Sequence, residues 1–199
     1  MVKEGIPFVL VPGALIILFA VFQWWIPAVI FLLICGFMAY FFRDPARVIP
    51  TEPNIIVSAA DGRVTRIDDT DAGIVVSVFL SPLDVHINRS PITARIANIE
   101  YVKGKKMPAT SDNASFVNER NSLFLEADGL NVKCTQIAGI VARRIVCWPS
   151  TGDKLERGQK FGLIKFSSRT DLLMPRDVKI EVKVGDRVRG GETVIARVI

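Results

Sequence analysis

Gly152-Asp153-Lys154-Leu155, followed by Gly158-Gln159-Lys160-Phe161, returns further along the chain as Gly185-Asp186-Arg187-Val188, followed by Gly191-Glu192-Thr193-Val194. In each copy Gly-Asp supplies a tight turn, an apolar residue two places on can face inward, and the second Gly allows another sharp corner. The unit is strand, turn, strand. Working outward from it, Ile55–Val57, Val64–Ile67, Ile74–Leu80, Ile92–Val102, Ser122–Ala127, Val132–Ile137, Gly139–Cys147, Phe161–Phe166, Val178–Val182 and Thr193–Val198 read as further strands. Each is a short β-rich run bounded by Gly, Pro or Asp, and few long 3.6-residue periods lie between them. The expected class is mainly β, a barrel or sandwich with room for one short helix.

Units of this kind build the barrel-sandwich hybrids of biotinyl and lipoyl carrier domains. A carrier needs an exposed lysine at a hairpin tip, and Lys154 stands early in its repeat instead. A membrane-tethered carrier or binding module without catalysis is therefore the weaker reading of the repeat.

Upstream of the strands the composition changes. No charged side chain occurs from Gly5 to Phe42. One helix over that whole run would measure roughly 57 Å against about 30 Å of hydrocarbon, whereas two spans of about 17 to 20 residues fit. The break belongs at Gln23-Trp24-Trp25, with Pro27 in the first turn of a second helix and tryptophans suited to a headgroup interface. Residues 1–47 are thus expected to form a membrane-anchoring hairpin, either spanning or re-entrant, since Pro12 and Gly13 interrupt the first span. Residues 48–199 are expected to form the β-rich functional domain. Lys3 before the hairpin and Arg43 and Arg47 after it put the positive charge on one side, which places that domain at the cytoplasmic face of the cell membrane. A signal peptide fits poorly, because neither one short apolar core nor a small-residue cleavage site is clear.

The chain of 199 residues is 50% hydrophobic and 23% charged, with a net charge of +5. That excludes disorder and suits an anionic membrane surface. No RNP-like, zinc-finger or helix-turn-helix pattern points to nucleic acid. Three cysteines without a CxxC pair and a single histidine leave neither a disulfide framework nor a metal site.

With one imidazole in the chain, acid–base chemistry near neutral pH falls on His86 or on a perturbed carboxylate. His86 lies in Ser81-Pro82-Leu83-Asp84-Val85-His86-Ile87-Asn88-Arg89-Ser90-Pro91, a Pro-bounded polar loop after an apolar strand. Asp61, in Ala60-Asp61-Gly62, reads first as an ordinary Asp-Gly turn between two strands. In Phe161-Gly162-Leu163-Ile164-Lys165-Phe166-Ser167-Ser168-Arg169-Thr170-Asp171 an apolar strand runs into two serines and a charged triplet, which reads as a polar strand end. No GxSxG or Ser-x-x-Lys pattern makes either serine a standard hydrolase nucleophile.

These stretches, with Phe41-Phe42-Arg43-Asp44-Pro45, Asn118-Glu119-Arg120-Asn121 and Ala142-Arg143-Arg144-Ile145, occur in an order that resembles the short form of phosphatidylserine decarboxylase over nearly the whole chain. The resemblance implies a self-processing proenzyme. Its serine, here Ser168, attacks the preceding carbonyl, and the chain is cut between Ser167 and Ser168 into a β chain of 1–167 and an α chain of 168–199. Ser168 becomes a covalent pyruvoyl cofactor that takes the serine headgroup as a Schiff base and accepts electrons as CO2 leaves. His86 and Asp61 match the family's acid–base residues, His86 deprotonating Ser168 and Asp61 orienting or charging the imidazole. The substrate implied is phosphatidylserine in the membrane; archaetidylserine, with the same headgroup on ether tails, is the close alternative. Whether the molecule is a homo-oligomer is left open. Two positions depart from the pattern. Ser167 stands where the family usually has Gly, and Arg89 stands where larger bacterial forms have a second His, so His86 would serve both processing and decarboxylation.

Overall fold

The computed structural model describes residues 1–105, 107, 117–127, 129–139, 144–165 and 168–199. It divides into two compact units, Met1–Ala46 and Arg47–Ile199. In the first, helices α1 (Ile6–Val21) and α2 (Trp25–Phe41) are joined by Phe22-Gln23-Trp24, and Gln23 takes φ 58° to turn the chain. The two helices run antiparallel. Phe19 stacks on Phe31 at 5.6 Å near the turn, and the Val2 amide donates to the Phe42 carbonyl at 3.2 Å at the open end. Helix α1 continues through Pro12. Lys3–Val21, 19 residues with a mean hydropathy of 2.2, is long and apolar enough to cross a membrane, and Trp25–Phe41 is a shorter apolar helix. Leu10, Ile17, Val21, Ile26 and Leu33 are exposed, an arrangement suited to association with lipid.

The second unit is mainly β. One curled, antiparallel sheet has eight strands in the order β13-β2-β3-β11-β7-β6-β5-β9. They are β2 (Gly62–Thr70), β3 (Gly73–Leu80), β5 (Ala94–Val102), β6 (Arg120–Ala127), β7 (Leu130–Ala138), β9 (Lys154–Leu155), β11 (Ser168–Met174) and β13 (Arg187–Val188). Two three-stranded sheets complete it. One is β1 (Ile55–Val57), β14 (Val194–Val198) and β12 (Val178–Ile180); the other is β4 (Ile87–Arg89), β10 (Lys160–Ile164) and β8 (Ile145–Cys147). Alternation sends Val76, Val78 and Leu80 of β3, Leu123 and Leu125 of β6, Val132 and Cys134 of β7, and Leu172 and Met174 of β11 to one face. There they form one core with Ile56, Phe161, Ile195 and Ala196.

The repeat in the sequence is half of a larger duplication. Gly152 and Gly185 donate to the carbonyls of Ile96 and Val64, both at 2.8 Å, and Gly158 and Gly191 donate to those of Ser90 and Ser58, again both at 2.8 Å. Asp153 and Asp186 accept the amides of Ser150 and Lys183 at 2.8 and 3.0 Å. The first glycines take φ 96° and 100°, the second 78° and 82°, a region a Cβ would strain. The partner segments are themselves copies, Ser58-Ala59-Ala60-Asp61-Gly62-Arg63-Val64 matching Ser90-Pro91-Ile92-Thr93-Ala94-Arg95-Ile96 position by position. The hydroxyls of Ser58 and Ser90 bond the carbonyls of Ala60 and Ile92, each at 2.7 Å. This paired build makes the domain a barrel-sandwich-hybrid-like fold, as expected.

The stretch from Ser168, expected as a polar strand end, is instead the start of β11, an interior strand paired with β3 and β7. Its charges are hidden by mutual neutralisation: Arg169 Nε lies 2.9 Å from Asp171, and both side chains are nearly buried on the face opposite Ser168. The expected strand Ile92–Val102 begins at Ala94, and Ile87–Arg89, expected as loop, is β4. Ser167, Phe166, Ala142 and Arg143 lie outside the described residues, as does part of the expected strand Gly139–Cys147.

Candidate active site

Ser168 opens β11 in the middle of the large sheet, level with Leu80 of β3 and Ala138 of β7. It shares a face with Thr170, Leu172 and Met174, so its side chain turns toward the apolar interior. The residue is completely buried, and its Oγ has no hydrogen-bond partner among the described residues. An unbonded buried hydroxyl costs stability, and the Ser77 hydroxyl on the neighbouring strand β3 is another among the described residues.

His86 is tied to both chain segments that flank Ser168. The loop carrying it begins at Ser81, directly after the Leu80 that pairs with Ser168. Asp84 ties that loop back by accepting the Ser81 amide at 2.8 Å. The His86 carbonyl in turn accepts the Ile164 amide at 3.2 Å, just upstream of Ser168. The ring is buried, and Nδ1 faces the Asp84 carbonyl oxygen at 2.9 Å. A carbonyl only accepts, so this contact assigns the proton to Nδ1 and leaves the basic lone pair on Nε2. Ala138 and Ile164, with Ile145 beside them, supply a small dry cluster next to these residues.

Asp61 stands in the loop before β2. That loop lies beside β4, because the Ala59 carbonyl accepts the Arg89 amide at 2.9 Å. Its carboxylate is turned elsewhere: Oδ2 takes Arg47 at 2.6 Å, and Oδ1 takes the Gly190 amide at 2.8 Å. Neither bond reaches His86. Arg47 also bridges to Glu192 at 3.4 Å. The Val48 amide, and then Arg47 and Arg189, hold the Glu192 carboxyl below its ordinary value against some desolvation. Arg89, at the position of the second His of larger forms, donates to the Gly158 carbonyl at 3.0 Å. Burial pushes the thiols of Cys134 and Cys147 up, so neither offers a thiolate nucleophile near neutral pH.

Beside these stand polar side chains that motif reading did not single out for a role: Asn88, Thr170, Gln136 and Asn121, all buried. Gln136 had a usable signal. It occupies the inward slot in the row Val132, Cys134, Gln136, Ala138, where an apolar residue is expected.

Comparison with known proteins identifies a family. The model of the phosphatidylserine decarboxylase family matches residues 34–196. A phosphatidylserine decarboxylase proenzyme of Symbiobacterium thermophilum is 45% identical, the match covering 98% of this chain and 94% of the relative. Those of Geotalea uraniireducens and Geobacter sulfurreducens are 40% and 39% identical, with 96% of this chain covered in each case and 93% and 94% of the relatives. These names favour the phosphatidylserine reading over both the archaetidylserine and the carrier alternatives. The arrangement of Ser168, His86 and the paired hybrid turns thus comes with a nearly full-length likeness, and the chain belongs to the phosphatidylserine decarboxylase family.

Proposed function

We propose that this chain cuts itself between Ser167 and Ser168 and then decarboxylates phosphatidylserine to phosphatidylethanolamine and CO2. The observation that carries the proposal is the buried Ser168 Oγ, unbonded among the described residues, at the head of an interior strand whose partner Leu80 leads directly into the loop that carries His86. His86 Nε2 takes the hydroxyl proton, and the oxygen bonds to the carbonyl carbon of residue 167. The C–N bond then breaks, its nitrogen is protonated, and an ester links the two parts. Loss of the Ser168 Cα proton expels residue 167 as a carboxylate, and water replaces the remaining nitrogen as ammonia, which leaves a ketone at the new terminus. Asp61, bonded to Arg47 and Gly190, contributes its charge to the imidazolium rather than a direct bond to the ring.

Ser168 suits the pyruvoyl group because the group forms from its own atoms, in a buried position with no competing hydrogen bond among the described residues. A pyruvoyl carbonyl there supplies the electron sink that decarboxylation of an amino acid needs. The chain's own part is to keep water out with Ala138, Ile145 and Ile164, and to let His86 return a proton to the carbon that lost CO2. Residues 1–47 act as the membrane anchor, holding the catalytic domain at the cytoplasmic face while the lipid's tails stay in the bilayer. The net charge of +5 favours an anionic lipid over its less anionic product.

Intact mass of the purified full chain tests this. The expected result is a fragment that runs from position 168 to Ile199 and begins with pyruvate. Ser168→Ala is expected to abolish both the cut and CO2 release, and Ser167→Gly to be cut at least as fast as wild type. Release of CO2 from phosphatidylserine by Ser168→Ala would overturn the assignment.

A further inference from the structure

Four uncharged polar side chains are buried as deeply as the core, and they form one continuous chain. Asn121 Nδ2 donates to Gln136 Oε1 at 3.1 Å, Gln136 Nε2 to Asn88 Oδ1 at 2.8 Å, and Asn88 Nδ2 to Thr170 Oγ1 at 3.1 Å. The Ala59 carbonyl, 3.5 Å from Asn88 Nδ2, can only accept, and this fixes the sense of the whole series. The chain crosses β6, β7, β4 and β11. Apolar side chains would fill that volume without the cost of burying amides, so the order of these bonds is what the arrangement secures.

We propose that Asn88, acting through Thr170, is a positioning residue that sets His86 against Ser168; this rests on the function proposed above. Asn88 is two places past His86, and Thr170 is two places past Ser168 on the same face of β11. Their bond therefore ties β4 directly to β11, two residues along the chain from His86 on one side and from Ser168 on the other. Strand β4, Ile87–Arg89, is short and among the described strands pairs only with β10. Its backbone therefore has no ladder to β11, and the Asn88 amide supplies the tie. Gln136 and Asn121 hold that amide from behind, extending the support to two neighbouring strands. Gly162 keeps the space open, since a Cβ there would come within 3.1 Å of Gln136 Nε2 and run into the Val146 carbonyl.

The test uses Thr170→Val, which keeps the shape and removes the acceptor, beside Thr170→Ser, which restores it. Self-cleavage is followed by intact mass, and kcat and KM for CO2 release are taken per cleaved molecule. Thr170→Val is expected to slow cleavage and lower kcat by about tenfold each, the cost of one lost buried bond, with KM within about twofold. Thr170→Ser is expected to recover both rates to within about threefold. Wild-type rates in Thr170→Val overturn the proposal, as do losses that track the fall in thermal midpoint and appear equally in Thr170→Ser. If Thr170→Val does not accumulate, Gln136→Leu breaks the same chain further from Ser168; it is expected to show the same loss of kcat, and a wild-type kcat there is the overturning result. The wild-type protein separates the two claims. If it yields no pyruvate-ended fragment, the proposed function fails; if it is active and Thr170→Val matches it, only the positioning role fails.

Discussion

Thr93 Oγ1 accepts the Arg157 amide at 3.0 Å, and in the other half of the duplication Asp61 Oδ1 accepts the Gly190 amide at 2.8 Å. The two acceptors hold equivalent places in the two copies, and so do the two donors, each directly before the second glycine of its repeat. One carboxylate oxygen of Asp61 therefore does fold work that a hydroxyl can do, and what the acid adds is charge and a bond to Arg47, which keeps Glu192 as a partner when Asp61 is replaced. Asp61→Thr separates these roles. It is expected to melt within a few degrees of wild type while slowing self-cleavage at least about tenfold, measured by thermal scan and by the time course of intact mass. If it is cut at the wild-type rate, Asp61 serves the fold alone. At this scale Ser168, His86 and Asp61 were legible as candidates, the first two because each sits in a compact motif. The bonds Asp61 makes were not, because Arg47 and Gly190 lie on either side of it at long range. The bond of Asn88 to Gln136 escaped for the same reason, since a bond between strands 48 residues apart leaves no local pattern, although the polar place of Gln136 in an inward row was there to be read.

Strand β11 shows where reading by element failed and why. Its inward row, Ser168, Thr170, Leu172 and Met174, is half polar, and its outward row carries Arg169 and Asp171, so neither period-2 contrast nor apolar content marked it as interior. The ion pair solves the burial locally: Arg169 donates to Asp171 through Nη2 at 3.2 Å and lies 2.9 Å from it through Nε. Removing one partner strands the other. Arg169→Met is expected to destabilise the domain by about 3 kcal/mol, while Arg169→Met with Asp171→Leu recovers most of that loss. Denaturant titration of both variants in the Ser168→Ala background checks this without interference from the cut. Double-variant stability no better than that of Arg169→Met would show that the pair does not act as a unit. The long strands of the large sheet were legible within a few residues because their apolar rows face one core, whereas short β4 was not, and the hairpin was legible from its Gln23-Trp24 break in an uncharged run.

Over the whole molecule, residues 168–199 supply β11 to the centre of the large sheet, β13 to its edge, and both β12 and β14 to a second sheet. A chain cut before Ser168 would stay assembled, because its short part is woven through the domain. Refolding would nevertheless change order. The uncut Ser168→Ala chain is expected to refold at a rate independent of concentration, whereas cleaved protein should slow about tenfold on tenfold dilution in the same detergent. Equal rates for both at all concentrations would contradict this two-part account.

The place of Ser168 at the head of an interior strand has a consequence for how the molecule matures. Under the proposed cleavage its hydroxyl can reach the imidazole only after strands from distant parts of the chain have closed around it, so a misassembled copy has no means of arming itself. Under the proposed cleavage, the reactive terminus serves as a certificate of correct assembly: the chain acquires its chemistry last, and a defective copy at the bilayer stays inert.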